Sequence, residues 1–169
     1  EIKKYKNIIE RTKTKLTLFE LLTCIYILAA GKTRFDSYNL IESGLLFKKD
    51  STNLWSSPLA QVVTNINLQH QEWIRPKTID EICRQKVGYL SENTKIYTGK
   101  QKLRTSKIIK NILEKNPSEK TVYGSWKIIN KNKKKYYEDK KNLIKLHSKY
   151  INSDGLWENV GLAIKVALD

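Results

Sequence analysis

The sequence predicts an α/β fold in which a mostly parallel sheet is flanked by helices and extended by an antiparallel hairpin. Three observations carry that expectation. Short β-branched segments alternate with segments of helical period, the pattern of parallel strands joined by crossover helices. Thr17-x-x-Glu20 and Thr78-x-x-Glu81 are capping boxes that announce helix starts. The polar run NKNKKK interrupts a strand-like stretch in the second half and reads as a hairpin turn.

The elements follow in order. Leu18, Leu21, Leu22, Ile25, Leu28 and Ala29 recur at helical spacing, and Gly31 is a natural stop. Tyr38 to Ile41 reads as a short strand, and Gln61 to Asn65 as a second. After Pro76, a helix starting at Thr78 carries Ile79, Ile82, Cys83 and Lys86 along one stripe. Lys95 to Thr98 is the next strand, and Thr105 to Lys115 a helix with Ile108, Ile109, Ile112 and Leu113 apolar. Thr121 to Leu146 favours strands, with the lysine-rich turn inside, and Trp157 to Leu168 closes as an amphipathic helix.

At 40% hydrophobic and 29% charged, the chain is long enough for one domain with a real core and is not of disordered composition. The longest apolar run, around Leu21 to Ala30, is too short to span a bilayer, so no membrane partner is expected. Cys24 and Cys83 sit on apolar helical faces, which suits reduced core residues in the cytoplasm. The formal net charge of +15 suits a polyanion, but lysines are spread and aromatics are not interleaved with them along the chain. Nucleic acid is therefore not the expected partner.

Ala30-Gly31-Lys32-Thr33 imitates the end of a phosphate-binding loop. It follows a helix, whereas such a loop must lead into a helix N-terminus. The stronger signals are Glu42 and His70, each placed after a strand-like segment, and Lys86 on an apolar stripe. A carboxylate and an imidazole brought outside the ends of a parallel sheet suit a metal and a phosphate. A lysine on an apolar helical stripe either snorkels or has a lowered pKa and takes up carbon dioxide as a carbamate.

These pieces, in their order, resemble the folylpolyglutamate synthase and dihydrofolate synthase branch of the Mur ligases. The family's T-x-F-E is met by Thr17, Phe19 and Glu20, and its E-V-G-L-G-G-R-x-D-A-T-N by ESGLLFKKDSTN from Glu42. T-N-I-G-x-D-H is met by TNINLQH ending at His70, and R-E-K-A-G by RQKVG around Lys86. Tyr97-Thr98-Gly99 with Gln101 is similar to V-T-G-x-Q, Tyr123-Gly124 with Trp126 to Y-G-x-D-W, and ENVGLAIKVAL to the last helix of the central domain.

The resemblance implies a Mur-ligase-like central domain and an ATP-dependent amide ligase. Such an enzyme phosphorylates the carboxylate of a folate or dihydropteroate, and L-glutamate attacks the acyl phosphate. It implies that Glu42 and His70 bind Mg2+, that Lys86 is a carbamate, and that Lys48, Asp50, Thr52, Asn53 and Asn159 line the ATP and substrate site. Thr17, Phe19 and Glu20 would fall on the substrate side, and the full-length enzyme would be monomeric and cytoplasmic. The family's phosphate loop would precede Glu1 and its C-terminal domain follow Asp169, so the chain is expected to be an interior fragment without turnover alone. The sequence departs from the pattern at Leu46 and Phe47, where the family has paired glycines, at Lys48 for arginine, and at Asn67 and Gln69. A wider Mur-family amino-acid ligase and a non-catalytic basic nucleic-acid-binding remnant are the alternatives.

Overall fold

A computed structural model describes residues 7, 11, 15–32 and 37–169. The chain divides into two compact units, residues 1–54 and residues 55–169.

In the first unit, helix α1 (Leu18–Ala30) begins at a complete capping box: the Thr17 side chain accepts from the Glu20 N–H, and the Glu20 carboxylate accepts from the Thr17 N–H. Gly31 ends the helix in an ordinary right-handed conformation, so its left-handed freedom is unused. Gly31 and Lys32 follow a helix C-terminus, which faces carbonyls rather than N–H groups outward. The phosphate-loop imitation is thus set aside for those residues; Thr33 lies outside the described residues. The strand expected at Tyr38 to Ile41 is not formed. The segment is irregular, with Tyr38 and Leu40 almost fully exposed and no ladder partner among the described residues.

The second unit is built on a parallel sheet of β1 (Ala60–Val63), β2 (Lys95–Thr98) and β3 (Lys120–Val122), in that order. Helix α2 (Ile79–Val87) crosses from β1 to β2, and α3 (Leu103–Leu113) from β2 to β3. The two helices pack on each other, which places both crossovers on one face of the sheet. The central strand β2 buries Ile96, Tyr97 and Thr98 on both faces, the mark of an interior parallel strand. Half of the second capping box forms: Thr78 accepts from the Glu81 N–H, but the Glu81 carboxylate turns to Arg84 and Gln85.

The lysine-rich stretch exceeds the hairpin expected of it. Strands β4 (Trp126–Lys131), β5 (Lys134–Asp139) and β6 (Leu143–Leu146) form a separate antiparallel sheet, ordered β4-β5-β6. The turn between β4 and β5 is Asn132-Lys133, both at positive φ, as a two-residue type I′ hairpin requires. Helix α4 (Asp154–Leu168) packs on β4 and β2 and joins the two sheets. Its Gly161 lies against Trp126, so close that a Cβ there would fall 2.4 Å from the indole. Tyr97, Trp126, Tyr137 and Leu162 form the core at this junction.

Candidate functional site

Within residues 1–54, local chemistry stitches α1 to the loop carrying Glu42 to Asn53. The Phe19 ring lies over Gly44, within 3.2 Å of where a Cβ would stand. Thr23 Oγ1 and Ser51 Oγ are hydrogen-bonded at 2.8 Å, and the Tyr26 hydroxyl donates to Asn39 Oδ1. The T-x-F-E and D-x-T-N segments, far apart in sequence, therefore share one surface.

Asp50 organises that loop. Its Oδ1 accepts from the Thr52 N–H at 2.9 Å and the Thr52 hydroxyl at 2.5 Å, and its Oδ2 from the Leu45 N–H at 3.0 Å. Both carboxylate oxygens are thus engaged inside the loop, an Asx-type brace. Thr52 is buried and Ser43 Oγ reaches it at 3.1 Å, while Asn53 and Lys48 are half-buried. Leu46, where the family pattern has glycine, is buried at φ 41°, in the left-handed region. Thr17 and Glu20 are bound to each other, and those hydrogen bonds, the one from the Thr17 backbone foremost, lower the Glu20 pKa. Glu42 is exposed and has no hydrogen-bond partner among the described residues. It follows an irregular segment rather than a strand.

Within residues 55–169, the carboxyl edge of the parallel sheet is tied by one amide. Gln101 Nε2 donates to the Thr64 carbonyl at 2.9 Å, and Gln101 Oε1 accepts from the Ile66 N–H at 2.9 Å. Asn65 Nδ2 donates to the Lys100 carbonyl at 2.7 Å, and the Gly99 N–H to the Val63 carbonyl at 2.8 Å. The segment leaving β1 is thereby clamped to the segment leaving β2. Gln101 was legible only as a motif match; its clamping role needs the parallel register.

His70 lies along that clamped segment, not at the strand end itself. It is half-buried at φ 57°, ψ 30°, just before a 3-10 turn (Gln71–Trp73), and its imidazole has no hydrogen-bond partner among the described residues. Histidine is among the residues that tolerate this left-handed region. Lys86 lies in the last turn of α2, half-buried, without an ion-pair partner among the described residues. Burial lowers its pKa. No hydrogen bond joins His70 to Lys86.

Asn159 is exposed on α4, one residue after Glu158. Glu158 Oε1 meets Lys100 Nζ and the Tyr123 hydroxyl, each at 3.5 Å, just beyond β2 and β3. The Lys100 ammonium is held protonated, chiefly by Tyr123 and then by Glu158. This end of α4 therefore stands at the same carboxyl edge of the sheet, where open α/β folds bind ligands. Among the described residues, no three His, Cys, Asp or Glu side chains cluster as a metal cage.

No family model matches the chain. A probable dihydrofolate synthetase of Schizosaccharomyces pombe is 30% identical over 99 residues, which is 53% of this chain and 22% of that protein. The apo form of L. casei FPGS (folylpolyglutamate synthase) superposes with a TM-score of 0.77 at 20% identity, over 96% of this chain and 40% of that one. An FPGS complex with AMPPCP and folate gives the same TM-score, identity and coverage. A bifunctional folylpolyglutamate synthase/dihydrofolate synthase from Yersinia pestis, complexed with AMPPNP and Mn ion, reaches 0.70 at 19% identity, over 90% of this chain and 35% of that one. The chain thus spans about a fifth of the curated relative's length and about two fifths of the solved structures. Its fold is that of these synthases.

Proposed function

We propose that this chain, which has the fold and motif order of the folylpolyglutamate and dihydrofolate synthases, is part of an ATP-dependent ligase that joins L-glutamate to a folate or to dihydropteroate through an acyl phosphate. The observation that carries the reading is the carboxyl edge of the parallel sheet. There Gln101 clamps the His70 segment, and the Asn159 turn of α4 stands beside Lys100.

By the motif resemblance, Glu42 and His70 are each a Mg2+ ligand in this reading; a carboxylate oxygen and an imidazole nitrogen each suit a divalent ion. Among the described residues neither the His70 ring nor the exposed Glu42 carboxylate has a hydrogen-bond partner, which leaves both open to coordination. The ion would supply charge stabilisation at transferring phosphoryl oxygens. Lys86 supports the carbamate reading, because burial favours its neutral amine. That amine attacks carbon dioxide, an N–C bond forms, and a proton leaves. The net charge of +15 favours capture of anionic ATP, folate and glutamate. Relatives crystallised with AMPPCP, folate and AMPPNP with Mn ion bind the corresponding ligands.

Alone, the chain is expected to lack turnover, since a nucleotide also needs a triphosphate cradle in line with the acceptor. The test joins this chain to the flanking regions of a full-length synthase and follows ATP- and glutamate-dependent phosphate release with dihydropteroate or a reduced folate. Glu42→Ala, His70→Ala and Lys86→Ala should each lower turnover by about a hundredfold or more. Wild-type turnover in all three removes the site.

A further inference from the structure

The antiparallel sheet has two unlike faces. Strand register places Trp126, Ile128, Tyr137, Ile144 and Leu146 on the face toward α4. The opposite face stacks in rows: Lys127, Glu138 and Leu143; then Ile129, Tyr136 and Lys145; then Lys131 and Lys134. Its only carboxylate, Glu138, is held by Lys127 at 3.0 Å. Lys131, Lys134 and Lys145 are exposed, and none has an ion-pair partner among the described residues. Lys131 and Lys134 stand directly opposite each other, beside Lys133 in the turn. Like charges so placed repel and cost stability with nothing inside the sheet to offset them. The next row sets the half-buried Ile129 and Tyr136 beside them, with Lys145 directly across from Tyr136.

We infer that this outward face docks single-stranded nucleic acid. Phosphates would sit between the unpaired lysines, and a base would lie on Tyr136 and Ile129, the arrangement of a stacking platform within a basic groove. An acidic polypeptide would satisfy the lysines but leave the aromatic and aliphatic pair unused. The sequence order hides this surface. Strand alternation separates its residues along the chain, and only the cross-strand register brings them together. The inference is independent of the proposed ligase chemistry.

The test is fluorescence anisotropy of a labelled single-stranded oligouridylate of about ten nucleotides with the 169-residue chain. Binding should be strong at about 50 mM salt and fall steeply as salt rises. Lys131→Glu, Lys134→Glu and Lys145→Glu together should weaken it about tenfold or more and flatten the salt slope by about two. Tyr136→Ala should weaken it severalfold with the slope unchanged. A charge-matched control, Lys107→Glu and Lys110→Glu on α3 with Lys115→Glu just after it, should leave the affinity within about threefold. If the glutamate triple fails to fold by circular dichroism, the glutamine triple at the same positions is read instead. Equal loss in both triples, no binding at low salt, or binding to phosphatidylserine vesicles or polyglutamate but not to the oligonucleotide would each overturn the inference.

Discussion

Single residues show where local physics and position conflict. Leu46 and Lys133 both take positive φ without being glycine. Lys133 is exposed, so Lys133→Gly should remove turn strain at no packing cost and stabilise by about 1 kcal/mol, read from the chemical denaturation midpoint. Leu46 is buried, so Leu46→Gly should relieve similar strain but lose about 2–3 kcal/mol of burial, for a net loss of about 1–2 kcal/mol. Asp139 gives a pH signature. Burial alone would raise its pKa, but hydrogen bonds from the Tyr137 hydroxyl, the Lys141 N–H and the Asn142 side chain and N–H together depress it below the ordinary 3.8. A depressed folded-state pKa contributes stability above pH 3.8 that is lost as pH falls below it. Asp139→Asn should therefore be destabilising at pH 7, and its deficit should shrink below about pH 4, measured by urea unfolding across that range. Lys86 offers a direct readout. Incubation with 13C-bicarbonate should give a carbamate carbon signal that Lys86→Arg abolishes, since burial lowers its pKa. Cys83 does not compete for that chemistry; burial and then Asp80 push its thiol up to about 11.

At the scale of elements, helix α4 is the joint between the two sheets, and its glycine sets the approach. Gly161→Ala would drive a methyl into Trp126 and Ile128, at 2.4 and 2.9 Å. The expected cost is about 2 kcal/mol, because overpacking outweighs the helix-propensity gain of about 1 kcal/mol. Thermal unfolding should show this, with a smaller penalty in a Trp126→Phe background. That background also removes Trp126 Nε1, a buried donor with no hydrogen-bond partner among the described residues. Helices were legible because caps and period act locally: α1 begins after Thr17 and α2 after Thr78, where the capping boxes indicate. Strand β2 matches its sequence reading of Lys95–Thr98. Tyr38 to Ile41 failed as a strand because β propensity is satisfied only by a neighbouring ladder.

At the scale of the molecule, the core at Tyr97, Trp126, Tyr137 and Leu162 draws entirely on residues 55–169. Expressed without residues 1–54, that unit should unfold cooperatively with its near-ultraviolet tryptophan signal retained; a non-cooperative transition would contradict its autonomy. Of the candidate site, the sequence marks residue types and order: Glu42, His70 and Lys86, and the loop residues Asp50, Thr52 and Asn53. It did not show that Asp50 spends both oxygens on its own loop, or that Gln101 ties two strand ends together.

The sequence by itself determined the helices, the β1-to-β3 alternation that yields a parallel sheet, and a motif order that resembles that of the folylpolyglutamate and dihydrofolate synthases. These follow from periodicity, capping and turn chemistry, which act over a few residues. Only the tertiary structure decided which side chains share a face, which carboxylates are already engaged, and how the lysine-rich strands segregate their charge. Those outcomes depend on strand register and helix packing between residues dozens of positions apart, and no local rule encodes them.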